Sequence, residues 1–386
     1  MGFGQVNSLK HLNALFLILA IVWIIGGCAY LTRGMSVAWS GDDVDLQARE
    51  KEWTDFKQGI YPNRRFTPEG RTKASAYTVY PAYAVPMFAP FFATGNFFWA
   101  RVSLQVTSLI GLGVMMVLGW RTLRSHGWQA GLLGAALCLA ISGNNSAFAF
   151  GQFSLISSGL LAAQILALRS NRCCLAGVCW AFAMIKPQIA LPFALLFLLP
   201  KHWTGLLCGG AILAGLSYFA LAWTGWSASE YVVHSLGSEK LSFIKDSWTF
   251  LGRWLLISPK VATVLGIITV LTAGLFTFAF FRKKTLDFLL PLAGCSAALG
   301  WVLFYHRQYD NQMLFPLMLA VAAVACRDRT VGSICFAGML AFILYLPSKL
   351  VAAISVLELM SFLVPVAAAV FLLWSSHALA KKDGLP

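Results

Sequence analysis

The amino-acid sequence predicts an all-α polytopic membrane protein with about twelve transmembrane helices. Of its 386 residues, 59% are hydrophobic and 11% are charged, and the mean hydropathy is +0.72. A soluble fold has no core large enough for so much apolar side chain, whereas each membrane span needs about twenty apolar residues. We therefore expect a single integral-membrane domain over residues 1–386.

Twelve apolar runs supply the candidate spans. The first has the position of a signal peptide, but it is long, lacks a small-residue cleavage pattern and precedes many further spans, so we interpret it as a retained helix. The runs are 12–31, 97–119, 128–142, 154–168, 173–186, 187–200, 204–224, 260–281, 286–305, 312–326, 331–348 and 350–379.

Residues 80–95 are apolar but are not predicted to cross the membrane. Pro81, Pro86 and Pro90 each remove a backbone donor, and the segment is shorter than a span. Broken backbone at membrane depth is tolerated where it packs against protein. We therefore expect a juxtamembrane or re-entrant piece, which leaves long outer loops at about 32–96 and 225–260.

The basic residues predict the orientation of the chain. Short cytoplasmic loops carry the excess of Lys and Arg, and with 80–95 not spanning, one face collects Lys10 and the clusters 121–124, 282–284, 327–329 and 381–382. Both termini are then cytoplasmic, in a bacterial-type inner membrane. The net charge of +14 is scattered between apolar runs, so we expect no nucleic-acid partner.

The first outer loop begins with a predicted helix at 45–58. Leu46, Trp53, Phe56 and Ile60 recur at helical spacing, and we expect that stripe to lie on the membrane surface. Gly59 is suited to end the helix. Asp45 stands in its first turn, where a helix-capping role is an ordinary alternative to a chemical one.

In the predicted topology the polar segments all emerge on the outer face. Such convergence is what an extracytoplasmic active site requires. The segments are 42–83, 144–154, 186–188, 227–260 and 306–311.

The order of these motifs resembles the GT-C polyprenyl-phosphate-sugar glycosyltransferases, most closely glycosyltransferase family 87. The resemblance covers residues 12–326, with Ala82 standing where the family usually has a second Pro. The matching positions are Asp45, Gly59, Tyr61, Tyr80, Pro81, Gly151, Gln152, Lys186, Pro187, Tyr309 and Asp310.

This resemblance implies transfer of a hexose, by family most often mannose, from a polyprenyl-phosphate donor to a glycan or glycolipid acceptor in the bilayer. Asp45 is then the general base of an inverting displacement, with Asp42 and Asp43 as alternatives. Lys186 and Arg307 are expected to neutralise the departing phosphate. The expected substrate-binding residues are Arg49, Tyr80, Asn145, Gln152, His306, Tyr309 and Asp310.

Several alternatives stay open. Asp310 is also suited to be a nucleophile, an orienter of Arg307 or a turn residue, and Asn144, Asn145 and Gln152 to be helix-end hydrogen bonders. A flippase or transporter of lipid-linked sugars, or a noncatalytic assembly subunit, are rival functions. We expect no cofactor or metal, because no Walker A or dinucleotide-binding glycine pattern is present and the cysteines lack metal-ligand spacing.

Overall fold

The computed structural model describes residues 3–63, 74–76, 78, 80–236, 258–281, 286–303 and 308–382, and throughout these ranges the ordered elements are helices. The α-helices are α1 Phe3–Val37, α2 Val44–Lys57, α3 Ala89–Phe92, α4 Phe97–Leu123, α5 Trp128–Leu139, α6 Gly143–Phe150, α7 Ser154–Arg169, α8 Cys173–Ala183, α9 Pro187–Ala190, α10 Trp203–Trp223, α11 Ala228–Leu236, α12 Pro259–Phe281, α13 Leu289–Leu303, α14 Phe315–Asp328, α15 Val331–Tyr345, α16 Ser348–Ala353 and α17 Ser355–Lys382.

Tighter turns extend this series. A wide helical turn, Ala38–Asp42, follows α1, and 3₁₀ turns cover Ala82–Ala84, Pro86–Phe88, Arg124–His126, Leu191–Leu198, Leu286–Phe288 and Gln308–Leu314.

Four helical stretches in the described residues are long and apolar enough to cross a membrane. They are Asn13–Gly41, Phe97–His126, Trp203–Trp223 and Ser355–Ser376, and α5 with α6 makes a fifth, bent by 42°, if the pair is one span. This is the pattern of a multi-pass membrane protein. Every predicted apolar run coincides with helix, but several of these helices are shorter than a span. The count of twelve stays a prediction.

Residues 80–95 form short broken turns rather than one helix, as their prolines predict. The pieces Ala82–Ala84, Pro86–Phe88 and α3 follow one another, and Val85 and Phe88 are completely buried. They pack with α2 and the C-terminal end of α10 in one apolar cluster. The segment therefore faces protein and packs beneath α2.

Helix α2 differs from its prediction in what covers its apolar stripe. Its bounds agree with the expected 45–58, and Gly59 follows it with φ +73°. The stripe does not lie on the membrane surface, because Leu46 and Phe56 are buried inside the protein. The indole of Trp223 also donates to the Phe56 carbonyl at 2.7 Å. Burial in a second apolar cluster, rather than contact with lipid headgroups, explains the pattern.

The segment that follows α10, predicted as the second outer loop, contacts the segment that follows α2. The Tyr231 hydroxyl in α11 accepts a hydrogen bond from the Ala82 amide at 3.2 Å. Its ring and that of Trp226 both lie against Tyr61, with centroids 5.7 and 5.9 Å away. The central part of this loop, residues 237–257, lies outside the described residues.

Close helix crossings in the core depend on glycine. A methyl group added at Gly111 of α4 would lie 2.7 Å from the carbonyl oxygen of Leu155 in α7, whereas one added at Gly113 would meet nothing within 4 Å. Without side chains at such positions, helix backbones approach closely enough to pack without a hydrophobic driving force.

We expect Gly111→Ala to destabilise the protein by about 1–3 kcal/mol, the usual effect of overpacking. Gly113→Ala is the matched control and should be neutral or stabilise by up to about 1 kcal/mol, because Ala favours helix. Thermal unfolding in detergent measures both. Equal changes in Tm for the two variants would show that the crossing is not tight.

Candidate active site

Four segments far apart in sequence meet at the N-terminal end of α2. They are the first two turns of α2, the turn at 151–153 between α6 and α7, the break at 184–186 between α8 and α9, and the turn Gln308–Leu314. Helix breaks and turns leave backbone groups and polar side chains free to face one another, and the contacts below connect all four.

Asp45 is joined to the turn between α6 and α7. Its carboxylate accepts a hydrogen bond from the Gln152 amide, and the side chain is partly exposed. Gly151 has φ +68°, and a methyl group there would lie 2.7 Å from Cβ of Leu46. The Gly-Gln pair therefore has a physical reason: the glycine allows α2 to approach, and the glutamine then reaches Asp45.

Asp43 makes a different contact, although it lies only two residues from Asp45. Its buried carboxylate accepts from Arg101 Nε at 2.7 Å and from Arg101 Nη2 at 3.0 Å. This two-pronged pairing is the strongest geometry open to an Arg and a carboxylate. The carboxylate of Asp43 is therefore paired with a residue of α4. The side chain of Asp42 lies outside the described residues.

Arg49 lies one turn after Asp45, between a carboxylate and an aromatic ring. Its Nη1 is 2.5 Å from Glu52 Oε1, and the guanidinium lies 4.6 Å from the centroid of Tyr80. Burial raises the pKa of Tyr80 well above its ordinary value. Burial also raises the pKa of Glu52 to about 7, even though Arg49 opposes that shift.

Glu52 was not predicted as a site residue. Asp45, Arg49 and Glu52 follow one another at spacings of four and three, so they share one face of a helix. That spacing is the signal in the sequence that would have found it.

A buried three-residue network forms the far side of the site. Lys186 Nζ lies 2.8 Å from Asp310 Oδ1 and 2.7 Å from Ser154 Oγ, and Ser154 donates to Asp310 at 2.7 Å. Lys186 and Asp310 are 2% and 1% exposed. Asp45 is close enough to attract the Lys186 ammonium, and Arg49 close enough to repel it. The structure thus brings together Lys186 and Asp310, which were both predicted as site residues. It adds Ser154, which the sequence analysis missed.

The remaining predicted residues lie elsewhere or outside the described residues. Asn144 caps α5 by donating to the carbonyls of Cys138 and Leu139 at 3.0 and 2.9 Å. Asn145 packs against α1, where a methyl group at Gly34 would lie 2.5 Å from its carbonyl oxygen. His306, Arg307 and the side chain of Tyr309 are outside the described residues.

The contacts around Asp45 separate it chemically from its neighbours. Asp43, Glu52 and Asp310 each pair with a cation, while Asp45 is held by a neutral amide. A partly exposed carboxylate oriented in this way can accept a proton from a hydroxyl group. The buried cations nearby, Arg49 and Lys186, favour negative charge that develops beside them.

Glu52 generates a prediction about stability and pH. Because its pKa in the folded protein is raised from 4.5 to about 7, the folded state keeps a proton that the unfolded state has released. Stability should therefore fall as pH rises through that window, by up to about 3 kcal/mol. Glu52→Gln should flatten this part of the curve of Tm against pH.

Glu50→Gln is the control, because Glu50 lies on the opposite face of α2. It should keep the pH dependence of the wild-type protein. A Glu52→Gln variant whose Tm falls between pH 5 and pH 8 as steeply as that of the wild type would contradict the expectation.

Comparison with known proteins identifies the family of the chain. The model of glycosyltransferase family 87 matches residues 77–326, which include Lys186 and Asp310 but begin after Asp45. No curated protein matches the chain, and no solved structure matches it. The match covers more than half of the sequence, and the chain therefore belongs to glycosyltransferase family 87.

Proposed function

We propose that this glycosyltransferase moves a hexose, mannose by family resemblance, from a polyprenyl-phosphate donor to a glycan or glycolipid acceptor, with Asp45 as the general base. One observation carries the proposal. Among the described carboxyl groups of the site, Asp43, Glu52 and Asp310 are buried and each contacts a cation, whereas Asp45 is partly exposed and is held by a neutral amide.

The reaction is a single displacement. An acceptor hydroxyl oxygen bonds to the anomeric carbon while its proton passes to Asp45, and the bond from that carbon to the phosphate oxygen breaks with its electron pair. One base and no covalent intermediate give inversion at the anomeric carbon. Asp310 is unsuited to be a nucleophile, because Lys186 and Ser154 both bind its Oδ1.

The leaving group needs positive charge. A phosphate monoester carries about −1.5 to −2 near neutral pH, and its charge grows as the sugar departs. Lys186 supplies positive charge from the far side of the site, and Arg307 is proposed to bind the phosphate directly. A contact that strengthens in the transition state raises the rate as well as the affinity.

The sugar is proposed to lie between α2 and the turns opposite it. Arg49 and Gln152 present N–H donors near Asp45, and Tyr80 presents a ring. We keep Asn145, His306, Tyr309 and Asp310 as further proposed ligands. Such hydrogen bonds to sugar hydroxyls fix the anomeric carbon in line with the base.

The membrane arrangement belongs to the same proposal. A GT-C fold of about twelve spans, with cytoplasmic termini and an extracytoplasmic site in an inner membrane, is supported by the basic clusters of the short loops. No nucleotide sugar is present on that side, which is why the donor is lipid-linked.

The experiment that tests the proposal uses purified protein in detergent with polyprenyl-phosphate mannose, the glucose analogue and a candidate acceptor lipid. Release of free polyprenyl phosphate together with a glycosylated acceptor supports it. In a second arm the protein is reconstituted in vesicles, where movement of intact donor across the bilayer without release would point to a flippase instead.

Asp45→Asn should lower turnover by about 10²–10⁴, the usual contribution of a general base, and leave donor affinity close to that of the wild type. Asp328→Asn, in an exposed pair at the end of α14, is the control and should not change turnover. Turnover near the wild-type rate in Asp45→Asn would show that another group accepts the proton.

Lys186→Met should destabilise the protein by about 3–5 kcal/mol, because Asp310 is left buried without its ammonium partner. The double variant Lys186→Met with Asp310→Asn removes both charges and should recover most of that stability. Turnover should remain low in both variants, since the cation is still missing. Recovery of wild-type turnover by the double variant would show that the Lys186–Asp310 pair has only a structural role.

A further inference from the structure

We propose that Asp43 and Arg101 are positioning residues that hold Asp45 in its working place, an inference that rests on the proposed function. Neither residue is expected to touch the substrate. Their ion pair fixes the first turn of α2 against α4, and it keeps a second negative charge beside the base neutralised.

The path of the chain explains why the first turn of α2 needs a contact with another helix. After α1 the chain bends at Gly41, which has φ +100°, and α2 begins three residues later. Asp43 is the residue that precedes α2, and its side chain makes no capping hydrogen bond to the helix. Its carboxylate turns instead to Arg101. The bend is therefore held by a contact with another helix, together with a local contact in which the Gln47 amide donates to the Gly41 carbonyl at 3.0 Å.

Arg101 is itself held in a defined orientation. Its guanidinium lies 5.4 Å from the ring of Trp39 and 5.1 Å from that of Phe97. The Trp39 indole in turn donates to Gln105 of α4 at 3.1 Å. Arg101 thus lies between the ring of Trp39, just before the bend, and that of Phe97 at the start of α4, and its planar fork meets both Asp43 oxygens. A lysine cannot reproduce that geometry.

The first turn of α2 is consequently fixed from two directions. Asp43 ties it to α4, while Leu46 packs on Gly151 and Asp45 accepts from Gln152. If the first tie were lost, the position of Asp45 would depend on the Leu46 packing, the Gln47 contact with Gly41 and one neutral hydrogen bond, with no ion pair to hold the turn. A misplacement of about 1 Å at a reacting group is enough to reduce a rate by about 10².

The pair also has an electrostatic effect on the base. Without Arg101, the Asp43 carboxylate would be an uncompensated anion two residues from Asp45, and a nearby like charge disfavours the ionised form of a carboxylate. In the part of the chain that the structure describes, the charged and titratable groups around Asp45 are Arg49 and Glu52 of α2, Tyr80, Lys186 and Asp310, with the Asp43–Arg101 pair beginning two residues before it in the chain.

The test compares Arg101→Gln, Asp43→Asn and the double variant with the wild-type enzyme. Arg101→Gln should lower kcat for release of polyprenyl phosphate at least tenfold, with KM for the donor within about twofold. The acid limb of its kcat profile should move to higher pH. In the double variant both charges are gone, so the acid limb should return to the wild-type position.

Arg101→Lys keeps the positive charge and serves if Arg101→Gln does not fold. It should lower kcat, because the fork is lost, and leave the pH profile in place. Arg327→Gln in the exposed pair with Asp328 is the matched control and should change neither quantity.

Hydrogen exchange gives a readout that does not depend on activity. The amides of residues 44–48 should exchange faster in Arg101→Gln or Arg101→Lys than in the wild type. Unchanged exchange there, or wild-type kcat with an unmoved acid limb in Arg101→Gln, overturns the inference. A wild-type enzyme that releases no polyprenyl phosphate overturns the proposed function instead, and the exchange result still decides whether the pair fixes α2.

Discussion

The cost of burying charge governs this structure. Removing a carboxylate or an ammonium group from water costs several kcal/mol per ion, and a close partner is needed to offset it. Three ion pairs in the described residues meet that need within one region: Asp43–Arg101, Arg49–Glu52 and Lys186–Asp310. Two of them join segments 58 and 124 residues apart. Breaking either would remove an ionic partner that offsets the burial of the other charge, so these pairs constrain how the start of α2, α4, the break between α8 and α9 and the turn before α14 come together.

The same pairings distribute the chemical roles. Three of the acidic groups of the site, Asp43, Glu52 and Asp310, are buried beside cations and are not placed to meet a substrate hydroxyl. Asp45 is oriented by a neutral amide and is partly open to solvent, which suits a base that must meet a substrate hydroxyl. A site of this kind is organised before the substrate arrives, so little reorganisation accompanies the reaction. The proposed displacement uses Asp45 as the base and Lys186 as the positive charge, both of which the fold already holds in place.

Much of the framework could be predicted from the sequence. The helix at 44–57, its end before Gly59, the broken segment after Tyr80 and the family were all predicted from local patterns. The environment of the α2 stripe was not, because helical period shows which face is apolar but not whether lipid or protein covers it. Ser154 was missed because its partners Lys186 and Asp310 are distant in sequence, whereas Glu52 could have been found from its helical spacing to Asp45 and Arg49. The role of Arg101 was not predicted, because its pairing with Asp43 required three-dimensional contacts.

The stereochemistry of transfer tests the central claim most directly. A polyprenyl-phosphate sugar of known anomeric configuration would be incubated with the purified enzyme and acceptor, and the configuration of the product would be read by NMR from the coupling at the anomeric proton. Inversion is the result expected when Asp45 acts as the single base and Asp310 stays paired with Lys186. Retention would require a second carboxylate to form a covalent intermediate, and would contradict the assignment of roles made from these contacts.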